Sequence, residues 1–142
     1  MNKTRRGASF YVETLLLVLF LLFCLTVLVQ MFGTARRLSR EARELSLSVQ
    51  IAQNAAEQLA ASDSREAWAL RLGAREDADG TLTVGYDAGG SAVADGTDEV
   101  YRLSCRLDSV RQGPGVMFSA HLSVMSGQEV LYELDTQKYI GG

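Results

Sequence analysis

The sequence is poor in the residues that do chemistry. In 142 residues there are one histidine, one tryptophan, one proline and two cysteines. Two cysteines are too few for a disulfide scaffold. No zinc spacing or phosphate-binding glycine loop occurs, and no base–nucleophile set can be assembled around a lone histidine, so neither an enzyme nor a cofactor is expected. An excess of positive charge is also missing. Fourteen Lys and Arg stand against 17 Asp and Glu, a formal net charge of −3, which excludes a broadly basic nucleic-acid surface. Apolar residues, in contrast, make up 47% of the chain. That excludes a disordered, strongly charged chain. It also exceeds what a small soluble enzyme needs, and the excess lies in one run near the N-terminus. The length allows one domain, or a small domain with an appendage.

The first seven residues carry Lys3, Arg5 and Arg6 and no acid. From Phe10 to Phe32 the chain is apolar except for Glu13, Thr14, Thr26 and Gln30. As a helix this run spans roughly 34 Å, enough to cross the hydrocarbon core of a bilayer. No proline or glycine interrupts it before Gly33. A cleaved secretory signal has a shorter apolar core and a small-residue cleavage site. Here the run ends in Val29-Gln30-Met31-Phe32 with no Ala-x-Ala pattern behind it. Charge does not decide the orientation: Lys3, Arg5 and Arg6 precede the span, and Arg36, Arg37, Arg40 and Arg43 follow it. Glu13 is the informative residue. A carboxylate at a membrane centre costs about 2.5–3.5 kcal/mol, and less near an end. It either reaches the headgroups or pairs with a cation inside an assembly.

The segment Arg5-Arg6-Gly7-Ala8-Ser9-Phe10-Tyr11-Val12-Glu13-Thr14-Leu15 resembles the processing site of type IV pilins and of the pseudopilins of type II secretion. In that family a short basic leader ends in a small residue, an acid stands at the fifth mature position, and an unbroken apolar helix follows. The resemblance implies a leader over residues 1–8 that a prepilin peptidase removes on the cytoplasmic face, methylating the new terminal amine. A cut after Ala8 makes Ser9 the first residue and Glu13 the fifth; a cut after Gly7 makes Glu13 the sixth. It further implies that Glu13 pairs with the freed amine of a neighbouring pilin or pseudopilin subunit. The partners implied are the peptidase, other such subunits and the membrane, with the C-terminal domain outside the cytoplasm and no nucleic acid. The alternative is an uncleaved single-pass anchor whose small exposed domain binds another membrane protein.

Beyond the span, residues 34–62 remain helical in character. Leu38, Ala42, Leu45, Val49, Ala52, Ala56 and Leu59 recur at helical spacing and predict a narrow apolar stripe. Gly33 is the expected flexible or kinked point. The stripe also reads as a heptad seam, but its alanines are weak for an isolated coiled coil and suit close packing on a sheet. Ser62-Asp63-Ser64 stops the helix and starts a short one over Glu66–Leu72, ended by Gly73, with Trp68 as its anchor.

The period then changes to two. A strand is expected over Thr81–Tyr86 and a Gly-, Ala- and Asp-rich loop over Asp87–Asp98. A second strand, Val100–Val110, leads through a turn at Arg111-Gln112-Gly113-Pro114-Gly115 into a face of Val116, Phe118, Ala120, Leu122 and Val124. A further turn at Ser126-Gly127-Gln128 leads to Val130, Tyr132 and Leu134. His121 alternates with the opposite face and is expected at the surface. Cys24 in the span and Cys105 on a strand are expected as small apolar groups. Asp77-Ala78-Asp79-Gly80 is half of a calcium loop, with an Asp-rich turn as the default. The expected class is α+β: a long N-terminal helix, membrane half (9–33) plus amphipathic half (34–62), packed on the antiparallel meander of a small globular domain (63–142). That is a pilin-like arrangement.

Overall fold

A computed structural model describes the backbone of residues 2–94 and 96–141 and the side chains from Arg6 onward, Asp95 excepted. Met1, the side chains of Lys3 and Arg5 in the leader, and Asp95 in the 87–98 loop lie outside the described residues. The chain is α+β, with a long N-terminal helix followed by a short one and a six-stranded antiparallel sheet. It divides into two units, Met1–Ala42 and Arg43–Gly142.

The first unit is helical throughout its described residues, as part of α1 (Asn2–Ala60). The helix starts eight residues before the predicted Phe10 and includes the basic leader. Lys, Arg and Ala have good helix propensity, and joining an existing helix avoids a new nucleation step. Gly33 does not interrupt α1. A mid-helix glycine costs about 1 kcal/mol relative to alanine, too little to break a helix with long helix-forming stretches on either side. Three threonines of this unit return their hydroxyls to the helix: Thr14 donates to the Phe10 carbonyl at 2.9 Å, Thr26 to Leu22 at 2.9 Å and Thr34 to Gln30 at 3.0 Å. These three hydroxyls therefore meet an apolar surrounding already satisfied.

In the second unit, the last turns of α1 cover the sheet. The buried face is Ser48, Ile51, Ala52, Ala55 and Leu59, rotated from the predicted stripe. Ala52 and Leu59 belong to both, Val49 and Ala56 are only half-buried, and Leu45 is 49% exposed. Ser48 explains the shift. Its hydroxyl donates to the Glu44 carbonyl at 2.7 Å, and a serine satisfied within its own helix packs as a small group. Residues 48–59 of the helix thus lie on the sheet.

The short helix α2 (Arg65–Leu72) follows. Ser64 caps it by accepting from the Ala67 amide at 3.2 Å, and Gly73 closes it at φ 64°. Trp68 is fully buried, and its Nε1 donates to the Ala55 carbonyl of α1 at 3.1 Å. That bond meets the rule that a buried indole N–H needs an acceptor.

The strands are β1 (Arg75–Glu76), β2 (Leu82–Tyr86), β3 (Ala92–Val93), β4 (Tyr101–Gln112), β5 (Gly115–Ser126) and β6 (Glu129–Ile140). Their order is β1-β2-β4-β5-β6, and β3 also pairs with β2. Strands β1 and β3 were not expected from the sequence; at two residues each they are too short to show a period. Turns join β4 to β5 and β5 to β6 with Gly113 (φ 62°) and Gly127 (φ 60°) in the first turn position, as hairpin geometry prefers. The inner face presents Leu82, Val84, Tyr101, Leu103, Cys105, Ala120, Leu122 and Val124, which form one core with α1 and α2. One expected face member is displaced. A bulge shifts the register between Val124, opposite Tyr132, and Met125, opposite Val130. Leu131 is the extra residue, so Tyr132 and Leu134 pack on the core while Val130 is 47% exposed.

Candidate processing and assembly segment

Gly7, Ala8 and Ser9 occupy consecutive positions of α1, and Glu13 lies one turn beyond Ser9 on the same face. Gly7 is half-buried; Ala8, Ser9 and Glu13 are exposed. A Cβ added at Gly7 would meet nothing within 4 Å. Around Glu13 the surface is apolar. Phe10, Val12, Leu16 and Leu17 are all exposed, as is every large apolar residue from Phe10 to Phe32. The rings of Phe10 and Tyr11 meet edge-on at 6.4 Å. A helix apolar on all sides is stable only inside lipid or among other helices, and α1 contains a stretch long and apolar enough to cross a membrane. Glu13 makes no ion pair or hydrogen bond among the described residues. An unpaired carboxylate therefore stands exposed near the start of an unburied apolar helix, where a cation from outside the chain has access to it.

The other chemistry-bearing residues do not converge on this segment. His121 sits on the outer face of the sheet, opposite Asp135 on β6 and Arg106 on β4. Its Nδ1 lies 2.6 Å from the Asp135 carboxylate and its Nε2 3.7 Å from Glu133. The hydrogen bond to Asp135 raises its pKa above the usual histidine value. Both ring nitrogens face carboxylates. The β6 bulge creates this pairing: without the extra residue, Leu134 would stand opposite His121. Strand alternation alone does not reveal it.

Asp77 and Asp79 form a hairpin turn. The Gly80 amide donates to the Asp77 carbonyl at 2.9 Å, and the Thr81 amide donates to the Asp79 carboxylate at 3.2 Å. That bond to the Thr81 amide lowers the Asp79 pKa. Asp87–Ser91 repeats the design, with Gly80 and Gly90 at φ 82° and 83°. Among the described residues no cluster of three His, Cys, Asp or Glu is placed to hold a metal ion. Cys24 and Cys105 are both free thiols, and burial pushes the Cys105 thiol up to about 12.

No family model, curated protein or solved structure matches the chain. The functional reading therefore rests on the residues and their placement.

Proposed function

We propose that the chain is a pilin-like subunit, either a minor pilin or a pseudopilin. In this reading a prepilin peptidase removes the leader at Gly7-Ala8-Ser9 and methylates the new amine. The subunit then leaves the membrane through α1 to join a type IV pilus or a secretion-type filament, with its sheet outside the cytoplasm. The observation that carries this reading is Glu13, an exposed carboxylate in an apolar helix, directly after a basic leader and a run of small residues. Opposite charges attract more strongly in poorly solvated surroundings than in water, and each is costly when left unpaired. A freed amine on a neighbouring copy satisfies both conditions and sets the stagger between subunits.

The test is N-terminal sequencing and intact mass of the membrane-extracted protein, with detection of amine methylation. The expected product begins at Ser9, or at Ala8 for the earlier cut, and carries one methyl group. Glu13→Ala is expected to block filament assembly while leaving the subunit in the membrane. A purified chain that retains its leader while Glu13→Ala is tolerated overturns the proposal.

One observation favours the second reading, an uncleaved single-pass anchor. The helix runs without a break through Gly7, Ala8 and Ser9, and a peptidase must unwind that turn to reach the bond. The same mass measurement separates the two.

A further inference from the structure

The apolar run of α1 ends at Phe32, and the next helix face has a distinctive composition. Gly33 has no side chain, and a Cβ placed there would meet nothing within 4 Å. Arg36 and Arg37 follow at three and four residues, the helical neighbours of Gly33, and Arg40 follows one turn after Arg36. Helical side chains lean toward the N-terminus and cover the preceding turn. Arg36 and Arg37 thus flank the open Gly33 turn at the end of the apolar run.

All three arginines are exposed. Arg37 shares a 3.0 Å ion pair with Glu41, but at 83% and 57% exposure that pair is open to exchange. Arg36 and Arg40 make no ion pair or hydrogen bond among the described residues. The Thr34 hydroxyl, which would compete for an anion, is already committed to the Gln30 carbonyl.

We propose that this notch is a phosphate site for an anionic phospholipid, with Arg36, Arg37 and Arg40 holding the headgroup phosphate over Gly33. The chemistry fits on three counts. Guanidinium presents a planar fork of donors that matches phosphate oxygens. The notch stands at the end of a run of bilayer length, at headgroup depth. The absent side chain lets a phosphate approach the helix between the two nearest arginines. The site fixes the depth at which the helix rests in the membrane. The proposal rests on α1 spanning a bilayer and is independent of leader cleavage and of filament assembly.

The test uses the full chain in bilayers of phosphatidylcholine with minor phosphatidylglycerol, and spin-labelled versions of each lipid as probes. Their relative association with the protein is read from the motionally restricted component of the spectrum. The expected result is a severalfold preference for phosphatidylglycerol, lost in the triple variant Arg36→Gln, Arg37→Gln, Arg40→Gln. Gly33→Leu fills the notch with all charges kept and is expected to reduce the preference. The triple Arg→Lys variant, which keeps charge but loses the fork, is expected to fall between. Equal association of both lipids with the unaltered chain overturns the proposal. So does a preference that Gly33→Leu and the lysine variant leave intact, which would mark unspecific surface charge. Equal loss of the preference in inorganic phosphate and in sodium chloride of the same ionic strength would mark simple screening and likewise overturns the proposal. Failure of the filament proposal leaves this measurement unaffected, because it is made on unassembled protein.

Discussion

Lys138, on the edge strand β6, donates from Nζ to the carbonyl oxygen of Ala60, the last residue of α1, at 2.8 Å, and also to the Ser62 carbonyl. The last turn of α1 contains no basic residue of its own. A helix leaves its final carbonyls without intrahelical partners, and its C-terminal end carries partial negative charge. A lysine from a strand 78 residues later supplies both the donors and the compensating charge. The contact ties the sheet edge to the helix end that covers the core.

Lys138→Met keeps the aliphatic stem and removes the donors. It is expected to destabilise the globular unit by about 1–2 kcal/mol. Urea unfolding followed by fluorescence of Trp68, the only tryptophan in the chain, measures it. An unchanged midpoint would show that water satisfies these carbonyls equally well.

Trp68 joins α2 to α1 through both packing and its bond to Ala55. Trp68→Phe retains most of the packing and leaves the Ala55 carbonyl without its indole donor, at a cost of roughly 1–3 kcal/mol. Trp68→Ala adds a cavity and is expected to cost roughly 3–5 kcal/mol. Circular-dichroism melts of the two variants check the order. Equal losses would mean that the hydrogen bond contributes nothing beyond the ring.

Much of this fold is legible in the sequence because its signals are periodic. The apolar run, the two-residue alternation of β4 and β5, the Ser64 and Gly73 caps and the glycine turns each have a local cause. What escaped prediction depends on distant partners or on a change of period. Ser48 counts as polar in a hydropathy pattern yet belongs to the buried face, because its hydroxyl turns back onto the helix. The extra residue Leu131 reverses the alternation of β6 and brings Asp135 to His121. Lys138 reads as an ordinary surface lysine until the helix end is placed beside it. The exposed apolar surface around Glu13 was legible because it concerns one helix and its surroundings.

His121 gives a pH signature. Its pKa is raised by the Asp135 hydrogen bond, so its protonated form is favoured by folding. This contribution is fully present below the unfolded-state value of about 6.5 and is lost as pH rises through the higher folded value. Asp135→Asn is expected to move the folded titration back toward the unfolded value. An NMR titration of the ring protons reads both. A wild-type midpoint at or below the ordinary value would remove the Asp135 bond from the solution structure.

Cys105 tests the core itself. Its side chain is fully buried on β4, and burial pushes its thiol up to about 12 from 9.0. Only the thiolate reacts with maleimides, and a shift of this size leaves roughly a thousandfold fewer thiolates at a given pH. In a Cys24→Ala background, Cys105 is expected to resist labelling in the folded chain and to react promptly in urea. Folding favours the neutral thiol, so its contribution to stability is intact below the unfolded value. It declines as pH rises from about 9 toward the folded value near 12. Cys105→Ala is expected to flatten that alkaline decline. Rapid labelling under native conditions would mean that the sheet opens beneath α1 far more readily than a closed core of Leu103, Leu122 and Trp68 allows.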